Sequence, residues 1–276
     1  MGSSTRLLAA VLSLLLISGC APSYRREDVA RSVQELCQIE HHLDVSARQV
    51  GDTVAVHLRY EGILERQGNQ IGLASNANEV LGNVLEVLHR VLLSSQPMMR
   101  FYLLLVSDPK VPGAYLTIVR YVEDVRRANA NMIPPTELFA RTILDLKYDA
   151  NMPIINFDQV VLNDIQLQQF LSWPLAKRIQ GHLTTALQQQ GLSVADVGPC
   201  QGDFRNGEFV FTLNVNVPAD SAKQQDVTQR LFQEATGVIS KVLADYRFNA
   251  FNAIRLLHPS TGRSLLLPRS SLDLFR

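Results

Sequence analysis

Apolar residues recur along this chain at two alternating spacings, and the alternation itself repeats. Val29, Val33, Leu36 and Cys37 share one face of a helix. Residues 43–48 then lead through Gly51-Asp52 into 53–60. There Val54, Val56, Leu58 and Tyr60 alternate with Thr53, Ala55, His57 and Arg59, the pattern of a half-buried strand. A longer helical stripe follows, made by Val80, Val84, Val87, Leu88 and Val91, with Asn76 or Asn78 as N-cap. A second hairpin closes the unit, from residues 101–106 through a turn at 108–113 into 115–122.

The same order returns at an offset of about 150 residues. Trp173-Pro174 suits the start of a helix, because proline fits a first helical position, and Leu175, Ile179, Leu183, Ala186 and Leu187 form its stripe. Residues 192–197 lead through a polar loop to Phe209, Phe211, Leu213, Val215 and Val217, which alternate with hydroxyl and amide side chains. Val227, Leu231, Ala235, Val238 and Val242 give the second helix, and 253–257 turns through 258–262 into 264–267. These patterns predict an α+β protein with two tandem helix-hairpin-helix-hairpin units over 27–127 and 173–276. Each unit is expected to pack two helices on a four-stranded antiparallel sheet. Between them, 128–172 reads as a helical connector. Pro134-Pro135-Thr136 opens a helix over 137–146, residues 149–153 break it, and Asn163 or Asp164 caps a second helix through Leu171. Ile143, Leu144, Leu146, Ile154, Ile155 and Phe157 make the connector too apolar for a free linker, so it is expected to pack against the units and fix their orientation. In element order alone the units resemble BON domains and the ring-building modules of secretion machinery.

The first residues follow neither period. Arg6 precedes an apolar run over 7–17 broken only by Ser13, and Ile17-Ser18-Gly19 leads directly into Cys20. The run is shorter than the roughly 20 residues that a membrane-spanning helix needs. Ile17, Ser18, Gly19 and Cys20 resemble the lipobox of bacterial lipoproteins. The resemblance implies that residues 1–19 are a signal peptide, that the Cys20 thiol receives a diacylglycerol, and that the new N-terminus is acylated with a chain such as palmitate. Ala21, where an inner-membrane retention signal has Asp, implies sorting to the outer membrane, facing the periplasm. Inner membrane and cell surface remain open as destinations. Residues 20–26 then form a lipidated tether, whose six residues beyond the cysteine reach roughly 20 Å.

Charge narrows the partners. Removing 1–19 lowers Lys+Arg from 26 to 25 against 26 Asp+Glu, so the mature chain has a net charge of −1. That gives no electrostatic footprint for nucleic acid. Cys37 and Cys200 remain after lipidation, and in the oxidising periplasm one disulfide pairing is open to them, against the alternative that Cys37 is a small buried residue.

Motifs for catalysis are sparse. His41, His42, His57, His89, His182 and His258 form no metal-ligand spacing, and Glu86-Val87-Leu88-His89 is a single Glu-x-x-His where a di-iron bundle needs two. No nucleophile elbow or phosphate loop is present, so no metal, cofactor or catalytic residue is assigned. Gly68, Asn69, Gly72, Asn76 and Asn78 read as a polar connector, and Asp44, Asp52, Glu61 and Glu65 as surface charge. Aromatics gather as Tyr60, Phe101, Tyr102, Tyr115 and Tyr121 in the first unit, and as Phe204, Phe209, Phe211, Phe248 and Phe251 in the second. They read as core, or as a ligand or partner surface where they face outward. The expectation is a membrane-anchored, non-catalytic binding or scaffolding component of the cell envelope with an envelope protein as partner. The alternatives are an envelope hydrolase acting on peptidoglycan or lipid, and a carrier of an apolar ligand.

Overall fold

The computed structural model describes residues 24–68, 70–150, 156–189, 197–216 and 221–272. The lipobox residues Ile17, Ser18, Gly19 and Cys20, together with Asn69, the break over 151–153, Ile154, Ile155, the strand expected over 192–196, and Val217, lie outside them. The chain divides into two compact units with a boundary between Asp164 and Ile165.

In the first unit the described structure reaches back to Tyr24, inside the tether expected over 20–26. Strand β1 (Tyr24–Arg25) pairs in parallel with β6 (Ser95–Gln96), and the Arg26 guanidinium pairs with Asp52. Helix α1 (Val29–His41) follows, then the hairpin β2 (Val45–Val50) and β3 (Thr53–Arg59), with Val45 opposite Leu58 and Val50 opposite Thr53. The polar connector near Gly68 is itself a hairpin, β4 (Leu64–Gln67) and β5 (Gln70–Leu73). It is tied down by Asp108, whose buried carboxylate accepts from the Gly62 and Leu64 amides at 2.9 Å each. Helix α2 (Ala77–Leu93) then leads to β7 (Phe101–Ser107) and β8 (Ala114–Tyr121).

The sheet is not antiparallel throughout. Its order is β2-β3-β7-β8-β9, and β3 pairs with β7 in parallel. A helix that joins two hairpins and returns the chain to the same end of the sheet makes the inner strands run the same way. Val54, Val56, Leu58, Tyr102, Leu104 and Val106 point to one face and pack with Val33, Cys37, Val84 and Leu88 of the two helices in the main core.

The connector expected over 128–172 is divided between the units. Helices α3 (Val122–Asn129) and α4 (Pro135–Ala140) precede β9 (Ile143–Tyr148), where a helix over 137–146 was expected. Edge pairing with β8 wins over helical propensity at these residues, and Leu146 and Leu138 pack against the core. Residues 156–164 then cross the other face of the sheet. The Asp164 carboxylate closes this strap by accepting from the Asp52 amide at 2.8 Å and the Thr53 hydroxyl at 3.0 Å. A Cβ on Gly51 would lie 2.4 Å from that carboxylate, and its φ of +56° suits glycine.

The second unit has the order α5 (Leu167–Gln189), β10 (Gln201–Arg205), β11 (Glu208–Thr212), α6 (Ser221–Asp245), β12 (Ala253–His258) and β13 (Arg263–Pro268). Helix α5 runs unbroken through Trp173-Pro174, in place of a short helix ending at Leu171 and a second one starting at Pro174. An interior proline costs about 3 kcal/mol. Burial of Phe170 and Leu171 by the extra N-terminal turns offsets this at about 1.5–3 kcal/mol each. The partner of β11 is β10, joined by Asn206-Gly207 with φ of +54° and +77°, a two-residue hairpin turn. Val197, at the end of the strand expected over 192–197, makes a single antiparallel bridge to Val215. Here too the central pair, β11 and β12, is parallel.

Candidate functional site

The face of the first sheet opposite the helices carries the remaining side chains of β2, β3 and β7. Ser46 and Arg48 of β2 lie beside His57 and Ala55 of β3. Ala55 and Leu105 form a small apolar cluster with Phe157, and this is where the strap lands. Arg48 fastens it. Its guanidinium donates to the Phe157 carbonyl, to the Val160 carbonyl at 2.8 Å and to the Asp158 carbonyl at 3.2 Å, and lies 4.6 Å from the Phe157 ring centroid.

Next to this clamp is a recess of about 430 Å³ lined by Asp44, Ser46, His57, Arg59, Asn156 and Asp158, with Phe157 as its floor. His57 stacks on Phe157 with centroids 5.4 Å apart, and its Nε2 lies 2.8 Å from the Ser107 Oγ. Burial, and then the Arg59 charge, lower the His57 pKa from 6.5. This electrostatic order is the reverse of a hydrolytic triad, in which a carboxylate stabilises the imidazolium formed when histidine takes the serine proton. Ser107 is not among the lining residues, whereas a nucleophile must meet its substrate. The recess suits binding of a small polar group between carboxylates and a guanidinium better than covalent chemistry.

The other singled-out residues serve the fold. His89 Nε2 lies 2.9 Å from the Tyr102 hydroxyl, while Glu86 is exposed, so the two do not form a ligand pair. His258, fully buried, bonds the Thr261 hydroxyl at 2.7 Å and the Val215 carbonyl at 2.9 Å. His182 pairs with Glu234 at 2.6 Å on the surface. His41 has a buried Nε2 with no hydrogen-bond partner among the described residues, and His42 is the left-handed cap of α1. Of the four acids near the first hairpin only Asp44 lines the recess. Asp52 pairs with Arg26, Glu61 pairs with Lys110 at 2.6 Å, and Glu65 is exposed. Cys37 and Cys200 are free thiols in different units, and burial pushes them up to about 11 and about 12. Neither is a ready thiolate. Among the described residues no group of His, Cys, Asp and Glu could hold a metal, and no helix is long and apolar enough to cross a membrane.

The His89 environment makes a pH signature. Burial, and then Arg120, lower its pKa from 6.5 to about 4. Between those values the unfolded chain binds a proton that the folded chain does not. Stability from this group is therefore complete above pH 6.5 and falls as pH drops through 4. The loss amounts to about 3 kcal/mol. Urea unfolding at pH 7 and pH 4 should show that His89→Gln loses less stability on acidification than the parent, by roughly this amount. Equal losses would refute the assignment.

Sequence reasoning missed Ser107 and Arg48, and it named Phe157 only as an apolar connector residue expected to pack against the units. Arg48 and Ser107 sit at polar strand positions on the solvent-side pattern, which was the signal available, but their partners are distant in sequence. In comparison with known proteins, the chain matches no family model, no curated protein and no solved structure.

Proposed function

We propose that this chain is a bacterial lipoprotein, held to the outer membrane through an acylated Cys20 and facing the periplasm. It acts as a non-catalytic binding or scaffolding component of the cell envelope with a protein partner. The observation that carries the reading is the join between Ile17-Ser18-Gly19-Cys20 and the fold. Strand β1 takes up Tyr24 and Arg25 of the expected tether, so no more than residues 20–23 are left to it. Four extended residues reach about 14 Å. The first unit therefore works against the bilayer surface. The lipobox and the short tether support anchoring, and the reversed charge order around His57 and Ser107 supports binding over hydrolysis. The two similarly ordered units are read as a duplication, each presenting a sheet to a partner.

Radiolabelled palmitate tests the anchor. The parent chain should incorporate label and sediment with membranes, whereas Cys20→Ser should lose the label and leave the membrane fraction. An unlabelled parent, or a variant that remains processed and membrane-held, would refute it.

A further inference from the structure

The two units differ at one edge. In the first, β8 is covered by β9, which runs antiparallel to it. Leu144 and Leu146 of β9 lie opposite Ile118 and Leu116, on the helix side of the sheet. In the second unit β13 ends the sheet, and no described strand pairs with its outer side. Its helix-side residues Leu265 and Leu267 lie opposite the buried Leu256 and Ile254. They line a cleft of about 750 Å³ against Phe232, Thr236 and Gly237 of α6. In the first unit the chain after β8 continues as α3, which contacts both α2 and β8.

Other edges are blunted. β2 carries the Arg48 clamp, β9 has Asp145 and Lys147, and β10 has Asp203 and Arg205. In contrast, β13 presents three consecutive leucines, with Leu266 48% exposed. Arg263 and Pro268 flank the leucines at the two ends of β13, and the apolar stretch between them is a template for a further strand.

We infer that the edge of β13 and the cleft beside α6 receive an extended segment of a partner protein. The segment lies antiparallel to β13, as β9 lies on β8, and seats apolar side chains at alternate positions against Phe232, Leu265 and Leu267. Arg263 is the one charged residue among the described residues that line the cleft, and it selects an acidic residue in the incoming strand. This rests on the reading of the chain as a binding component and names the surface that binds.

The test is amide hydrogen exchange on the full-length lipidated chain in detergent. The probe is a synthetic peptide with the sequence of residues 142–149, the strand this chain already places on β8, compared with a scramble that groups its apolar residues. The intact peptide should slow exchange over 264–267 by at least about tenfold and leave β10 unchanged. Gly237→Leu blocks the cleft from the helix side. A Cβ there meets no atom within 4 Å, and leucine raises helix propensity, so the variant should stay folded by circular dichroism while losing at least about tenfold in peptide affinity.

Absence of protection, protection by the scramble, or protection retained in Gly237→Leu would each overturn the proposal. So would protection of β13 without peptide accompanied by doubled mass in sedimentation, which assigns the edge to a second copy. Protection by oleate but not by peptide would also overturn it and assign the cleft to an apolar ligand. Palmitate labelling reads the anchor separately. Label with an unprotected β13 refutes strand docking alone, and a protected β13 without label refutes the anchor alone.

Discussion

Replacing Arg141 with alanine should destabilise the first unit by about 3–5 kcal/mol. Arg141 and Asp124 are 4% and 2% exposed at their side chains, and Nη1 of the arginine lies 2.9 Å from Oδ1 of the aspartate. The Arg141 Nε also donates to Glu137 at 2.7 Å. Alanine would remove the guanidinium and leave the Asp124 carboxylate in a site that excludes water. The cost therefore comes mostly from a buried carboxylate that has lost its guanidinium counter-charge. It follows that Arg141→Met combined with Asp124→Leu should recover most of the loss, because neither buried charge then remains. The single tryptophan, Trp173, lies in α5, so its fluorescence follows the second unit. Near-ultraviolet circular dichroism of the tyrosines around Tyr102 follows the first. A single variant within 1 kcal/mol of the parent would show that the pair is solvated.

The same pair explains what sequence periodicity could and could not reach. The stripes of α1 and α2 and the alternation of β3 were legible because they mark the faces that meet in the core, where Val33, Cys37, Val54, Val56, Val84 and Leu88 lie. Strand β3 is nevertheless not half-buried as expected: Thr53, Ala55 and His57 on its other face are buried too. The hairpin of β10 and β11 was missed although Asn206-Gly207 marks it. Gln201–Arg205 is half polar, and its buried contacts come from Gly202 and Phe204, too few to show alternation. Strand β9 was read as helix because Ile143, Leu144 and Leu146 satisfy both periods over so short a run. The parallel central pairs follow from where each connecting helix returns the chain, and no local pattern encodes that.

The site divides in the same way. His57 and Asp44 were visible as residue types near a hairpin, but the recess needs Arg59, Asn156 and Asp158 brought together by the strap. Arg48, which holds the strap, has its acceptors more than a hundred residues away in sequence. The buried charges are similar. Arg141 falls at the end of a connector, where sequence suggests exposure, and only α3 packing beside α4 makes it the ligand of Asp124.

In the second unit the largest effect should come from Phe209→Ala, again about 3–5 kcal/mol. Phe209 is fully buried in β11 and stands at the centre of the aromatic cluster. Its ring centroid lies 4.8 Å from Phe204, 5.6 Å from Phe251, 6.0 Å from Phe248 and 6.1 Å from Phe211. Phe209, Phe211, Phe248 and Phe251 are buried in the core and do not form an outward partner surface, while Phe204 at the edge of the cluster is half-buried. Phe209 also pairs with Ile254 of β12, which in turn pairs with Leu267 of β13. A cavity at residue 209 should therefore loosen the strand that holds the open edge, and peptide protection of β13 should fall together with stability. Phe204→Ala provides the comparison. Phe204 is half-buried on the edge strand β10, and its replacement should cost about 1 kcal/mol and leave β13 protection intact. Denaturant unfolding followed by Trp173 fluorescence measures both variants. Equal losses would mean that the rings share the burial evenly, and that β11 does not organise the sheet on which the edge depends.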